Sequence, residues 1–272
     1  MIKNQKIGFI GAGNMAAALI KGIVQSGVRG KEELAASDKD PQAIKNISDR
    51  FGIMGCSSNM ELVNECPIVI LSVKPQNMKE VLEEIREEIR GHHLLVSIAA
   101  GISLEMIHDV IGMDIPLIRV MPNTPSLVQK GVSALAGGVR AAPEHMDIVQ
   151  AIFQAVGDTV SVDESMMDAV TALSGSGPGY VFRIMECMVS AGVSSGLDRE
   201  ISRRLVVQTF LGSACLAKES GNSLSRLREM VTSPGGTTAA GLAVFERMGL
   251  EKIIRDVVDA AFNRSLELGG NK

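Results

Sequence analysis

The chain has 272 residues, 46% of them apolar, and a formal net charge of −4, enough for one large domain or two modest ones with substantial cores. With no tryptophan, one tyrosine and no basic block, it lacks the charge and the stacking rings of a nucleic-acid surface. Four dispersed cysteines without C-x-x-C or zinc-ligand spacing, no basic-then-apolar leader and no bilayer-length apolar run set the expectation of a cytoplasmic protein with no membrane partner and no metal.

The first predicted strand, residues 6–10, runs into Gly11-Ala12-Gly13-Asn14-Met15-Ala16, and a helix is expected over 15–26. Gly-x-Gly-x-x-Ala between a strand and a helix is a dinucleotide fingerprint. Gly11 permits the tight turn, Gly13 lets a pyrophosphate approach, and Ala16 allows close helix–strand packing. The helix N-terminus then directs free N–H groups at the phosphates.

Further strands are expected over 33–37, 67–72, 94–99 and 117–121, with helices over 41–51, 76–89 and 103–111 between them. Continuous apolar strands alternating with helices predict a doubly wound parallel sheet of Rossmann type, covered on both faces. Two weaker strands follow over 132–136 and 159–162. The strand ends carry the unusual residues. The second ends in Ser37-Asp38-Lys39-Asp40, where Asp38 stands at the spacing of a ribose-binding acid, a helix N-cap before Pro41 being the equal alternative, and where Lys39 or Ser37 could instead help receive a phosphate. The third runs into Val73-Lys74-Pro75, the fourth into Ala99-Ala100-Gly101, and the fifth into Pro122-Asn123-Thr124. Ligands bind outside the carboxyl ends of such strands, so these segments are expected to line one crevice with Gly11–Gly13. Asn123 belongs to that set, with simple turn chemistry as its other reading.

After residue 163 the pattern becomes helical, over 165–173, 178–196, 198–220, 224–231, 237–249 and 250–268. Several of these helices are apolar on more than one side, as in Leu205-Val206-Val207. Such helices in a domain of this size predict a second subunit packed against them, a self-contained bundle with a large core being the alternative. The division is therefore a dinucleotide-binding domain over 1–163 and a helical dimerisation and substrate-binding domain over 164–272. Two glycine-rich breaks, Ser174-Gly175-Ser176-Gly177-Pro178 and Thr232-Ser233-Pro234-Gly235-Gly236-Thr237-Thr238, each precede a helix. Each offers backbone N–H groups and hydroxyls to a carboxylate, or serves as a close-packed connector. None of the four histidines lies in a site-like loop, so the reactive atom is expected from a cofactor.

In order along the chain, Ile7-Gly8-Phe9-Ile10-Gly11-Ala12-Gly13-Asn14-Met15, Val73-Lys74-Pro75, Ser97-Ile98-Ala99-Ala100-Gly101, Met121-Pro122-Asn123-Thr124-Pro125, Leu173-Ser174-Gly175-Ser176-Gly177-Pro178 and Val231-Thr232-Ser233-Pro234-Gly235-Gly236-Thr237-Thr238 together resemble the pyrroline-5-carboxylate reductase family. The resemblance covers about residues 5–268, and the last two motifs are its most specific part. It implies reduction of Δ1-pyrroline-5-carboxylate, a cyclic imine, to L-proline with NADPH or NADH, on a Rossmann domain joined to a helical dimerisation domain. Homodimers, in some members pentamers of dimers, are implied as well. By matching motifs, Gly11, Ala12, Gly13, Asn14 and Met15 would hold the pyrophosphate. Ser37, Asp38 and Asn59 would lie near the adenine ribose, and Val73, Lys74, Pro75, Ala99, Ala100 and Gly101 on the nicotinamide side. Ser233, Gly235, Gly236, Thr237 and Thr238 would bind the substrate, with Thr238 near the ring nitrogen as the catalytic residue. The chain departs from the family's pattern at Gly221-Asn222-Ser223-Leu224, at Glu229 and at Gly179. Asp38 leaves NADH against NADPH open. Competing readings are a two-domain dehydrogenase of the 3-hydroxyacid type, for which Lys218 and Lys252 lie in no matching motif, and a non-catalytic nucleotide-binding sensor.

Overall fold

The computed structural model describes residues 5–270. Strands β1 (Ile7–Ile10), β2 (Leu34–Ser37), β3 (Met54–Gly55), β4 (Ile68–Leu71), β5 (Leu94–Ser97), β6 (Leu117–Met121), β7 (Gly131–Gly137) and β8 (Gly157–Ser161) form one sheet in the order β3-β2-β1-β4-β5-β6-β7-β8. Helices α1 (Asn14–Ser26), α2 (Pro41–Phe51), α3 (Asn59–Glu65), α4 (Met78–Ile85), α5 (Leu104–Ile111) and α6 (Pro143–Gln154) connect them. The expected Rossmann-type sheet is present. Its one antiparallel pair is β6–β7, whereas the other neighbours run parallel. The connection from β6 to β7 holds only a short 3-10 segment, Thr124–Val128. It is too short for the crossover that parallel pairing needs. Strand β3 and helices α3 and α6 stand where no element was expected. α2 and α3 begin at side-chain caps, Asp40 and Ser58, whose oxygens accept the N–H of Gln42 and Glu61.

Strand residues alternate between two dry cores, as the two-residue period of a strand dictates. Ile7, Phe9, Leu34, Ile68, Ile70, Val96 and Val120 pack with α1 and with Val149, Ile152 and Phe153 of α6. Ile10, Val69, Leu71, Leu95 and Leu117 pack on the other face with α3, α4 and α5. Sheet order reverses at β1, which lies between β2 and β4. Ile10 pairs with both Ser37 and Leu71, so these three strands end level at one edge.

Helix α7 (Met167–Val170) leads into a π-helical turn, Thr171–Gly175, where the Ser176 N–H donates to the Thr171 carbonyl at 2.8 Å. Then follow α8 (Gly177–Ser194), α9 (Arg199–Glu219), α10 (Leu224–Met230), α11 (Thr237–Met248) and α12 (Leu250–Leu268). All six helices expected after residue 163 have a counterpart. Contacts divide the chain into one unit that runs through Ser176 and resumes at Ala261, and a second of Gly177–Ala260. This boundary lies later than the expected one at 163, because Met167 packs fully buried against Ala134 and Ala136 of β7. Ser265 of α12 is buried in the first unit and donates to Asp168 Oδ1 at 2.6 Å.

In the second unit only Ser202 and Val206 are buried among the described residues. Phe182, Ile201, Leu205, Leu211 and Phe245 are each more than half exposed. No described helix is long and apolar enough to cross a membrane, and no described cluster of acidic, histidine and cysteine side chains could hold a metal. Cys56, Cys66, Cys187 and Cys215 are free thiols. Burial pushes the Cys66 thiol up to about 12 and that of Cys56 up to about 11, so neither is a thiolate at neutral pH.

Candidate functional site

The level ends of β2, β1 and β4 place three loops together around a cavity of about 410 Å3 in the first unit. Of the residues expected at a cofactor, Gly11, Gly13, Asp38, Asn59, Val73 and Lys74 line it. Gly11 sits at φ +101°, and a Cβ there would stand 2.8 Å from the Ser72 carbonyl oxygen. Only glycine fits both the dihedral and the space. The Ser72 hydroxyl fastens the turn from the other side, donating to the carbonyls of Ile10 and Gly11. A Cβ on Gly13 would meet nothing within 4 Å. Gly13 is also the N-cap of α1 and, having no side chain, provides no cap. The first-turn N–H groups of α1 are therefore left for an anion. An open glycine beside an uncapped helix end fits the pyrophosphate of a dinucleotide.

Asp38 is not the α2 cap, a role that Asp40 fills. Its carboxylate instead accepts the Ala12 N–H at 2.7 Å and the Asp40 N–H at 2.9 Å, which ties the second strand's loop to the glycine turn. Ser37 is buried and reaches the cavity through Asn59. Its hydroxyl donates to Asn59 Oδ1 at 2.7 Å, and Asn59 Nδ2 donates to Glu84 Oε2 at 2.7 Å.

The other expected residues take varied places. Ala12, Asn14 and Met15 form the turn and the start of α1. Pro75 opens a 3-10 turn, Pro75–Asn77, that carries the chain into α4. Ala99, Ala100 and Gly101 form the loop between β5 and α5, where Gly101 has φ +72° and backs onto Leu268 of α12. Asn123 is engaged by the surrounding backbone. Its Oδ1 accepts the Val132 N–H at 3.0 Å, and its Nδ2 donates to the Ser174 carbonyl at 3.2 Å. Both ends of the amide thus fix the π-helical turn against the sheet.

Lys39, the alternative phosphate partner, also lines the cavity, as do Gln76, Asn77, Glu80 and Glu84, which were not expected there. The helix predicted from residue 76 could have revealed the last four, since its first turns follow the third strand end.

In the second unit, Thr232 and Ser233 lead into Gly235 at φ +72° and the N-cap Gly236, again without a side-chain cap. Thr237 and Thr238 open α11. The loop therefore presents a second uncapped helix N-terminus with hydroxyls in its first turn, suited to a carboxylate.

A family model for pyrroline-5-carboxylate reductase dimerisation matches residues 164–268, and one for coenzyme F420-dependent NADP oxidoreductases matches residues 6–101. A pyrroline-5-carboxylate reductase of Methanosarcina acetivorans is 41% identical over 268 residues, 98% of this chain and 99% of that protein. The structure of a pyrroline-5-carboxylate reductase from Coxiella burnetii matches with a TM-score of 0.94 at 32% identity, covering 97% of this chain and 98% of that one. A Plasmodium falciparum pyrroline carboxylate reductase with NADP bound matches at 0.86 and 33%, covering 98% and 99%.

Proposed function

This chain belongs to the pyrroline-5-carboxylate reductase family, and from that membership we propose how its residues carry the reaction. It is an oxidoreductase that reduces Δ1-pyrroline-5-carboxylate to L-proline with NAD(P)H, the final step of proline biosynthesis. The hydroxyacid-dehydrogenase and sensor readings are set aside by that membership. The nicotinamide, when bound, supplies the hydride.

The protein's own part is to bind, orient and protonate. The α1 N-terminus and the open Gly13 hold the pyrophosphate, while Ser37, Asp38 and Asn59 meet the adenosine. Lys74, exposed at the cavity's lip, adds positive charge for the phosphates. The Ala99–Gly101 loop faces the nicotinamide. The uncapped N-terminus of α11 clamps the substrate carboxylate, and Thr238 in its first turn orients the imine nitrogen or passes it a proton. A protonated cyclic imine is already an electrophile, so positioning against the hydride donor supplies most of the rate. The observation that carries this reading is the pair of helix N-termini left uncapped by glycine, one for each anion of the reaction.

The helical half self-associates, with a homodimer as the smallest active unit. Light scattering separates a dimer from a pentamer of dimers. Four unpaired thiols support placement in the cytoplasm. Thr238→Ala is expected to lower kcat by roughly tenfold to a hundredfold, with Thr238→Ser recovering much of it. Unchanged turnover in Thr238→Ala would remove the assigned role.

A further inference from the structure

We propose that Glu84 sets the balance between NADH and NADPH, a role that rests on the reductase reading above. Ser37, at the end of β2, donates to Asn59 Oδ1, and Asn59 Nδ2 donates to Glu84 Oε2. The chain fixes which way the Asn59 amide faces. Its oxygen is spent on the sheet, one N–H is spent on α4, and one N–H remains to meet a ligand. Glu84 is exposed, so its carboxylate is held there by Asn59 rather than by burial.

Charge around this cavity is uneven. Asp38, Glu80 and Glu84 line it against Lys39 and Lys74. Asp38 has both carboxylate oxygens engaged by backbone N–H groups, from Ala12 and Asp40. Those amide dipoles offset part of its field. Glu84 accepts a single side-chain amide, through Oε2, and lines the cavity. NADP differs from NAD by one phosphate at the adenosine 2′ position. A phosphate monoester carries close to two negative charges at neutral pH. A neighbouring carboxylate disfavours that group, whereas a ribose hydroxyl can donate a hydrogen bond to it. Glu84 therefore acts twice, as an electrostatic brake on the 2′-phosphate and as the positioning partner of Asn59.

Two substitutions separate these effects. Glu84→Gln keeps an oxygen for Asn59 and removes the charge, whereas Glu84→Ala removes both. The neighbouring Glu83 does not line the cavity and pairs with Lys79 at 3.9 Å. Glu83→Gln thus controls for the general loss of one negative charge. Steady-state kinetics with both cofactors are read together with calorimetric titration of NADP+ and NAD+ onto the full-length protein.

Glu84→Gln is expected to raise the NADPH to NADH ratio of kcat/KM by about three- to tenfold. The gain should lie in the NADPH KM and the NADP+ Kd, and shrink in about 0.5 M salt. Glu84→Ala is expected to weaken both cofactors as Asn59 loses its anchor, with the ratio still raised. Glu83→Gln should leave the ratio unmoved. An unchanged ratio in Glu84→Gln, or an equal change in Glu83→Gln, overturns the proposal. Failure of the reductase reading looks different: the unmodified protein would consume neither cofactor with the imine, while the NADP+ and NAD+ titrations would still decide Glu84.

Discussion

The two units solve the burial problem in opposite ways. The first encloses a sheet between two dry cores, with Phe9, Ile20, Ile70 and Phe153 fully shielded. The second shields only Ser202 and Val206 among its described residues and leaves Phe182, Leu205 and Phe245 in the open. A helical unit that keeps so much apolar surface exposed is half of an interface. The difference teaches where each kind of function can sit. The cavity proposed for the cofactor belongs to the self-sufficient unit, at the level ends of its strands. The loop proposed to bind the substrate belongs to the unit that needs a second copy, so substrate chemistry is expected to depend on assembly.

Breaking the assembly should have the largest effect. Leu205→Asp combined with Leu211→Asp places charge on two exposed leucines of α9. The double variant is expected to be monomeric by light scattering, to lose imine reduction by more than about a hundredfold, and to keep measurable NADP+ binding. An active monomer would erase the contrast between the units. Next in size, Phe153→Ala empties a fully buried site in the first core. It should cost about 3–5 kcal/mol in chemical denaturation, at any protein concentration, because this core is internal to one chain. The melting of the dimeric half, by contrast, should rise with concentration. Gly11→Ala follows, with an expected loss of roughly 1–3 kcal/mol from the strained dihedral and the Ser72 clash, and a larger fall in cofactor affinity than in imine affinity.

The smallest effect concerns pH. His93 is buried, with Nδ1 accepting the Arg90 N–H at 2.8 Å and Nε2 bonded to the Val63 carbonyl at 3.1 Å. Burial, chiefly, holds its pKa below the ordinary value of 6.5. The folded state then binds fewer protons than the unfolded chain as pH falls below that value. The His93 contribution is complete above pH 6.5 and is lost as pH falls towards the folded pKa. Urea midpoints measured downward from neutral pH should show this slope in the intact protein and lose part of it in His93→Gln. A slope of equal size in the variant would assign it elsewhere.

The sheet, its alternation with helices and the glycine turn could be read from the chain because apolar runs and glycines act locally. The reversed direction of β7 could not, since pairing direction depends on what the connection can span. The seven residues of α3 and the two of β3 are too short for a period to show. Glu80 and Glu84 lie within the helix expected over 76–89 but in no motif, and only the fold brings them to the cavity. Asn123 and Asp38 carry contacts that the chain alone does not show. Each has a ligand-like side chain that also binds neighbouring backbone groups, and Asp38 still lines the cavity. The loop before α11 stands out by its motif, and its uncapped helix end is a feature that a carboxylate site there would use.

The path of the chain through its first unit has one more consequence. That unit is discontinuous, interrupted after Ser176 and resumed at Ala261, with Leu268 backing Gly101. During synthesis the ribosome must release the whole intervening segment before the piece that supports the Ala99–Gly101 loop emerges. The nucleotide fold can therefore begin early on the nascent chain, yet it is finished last.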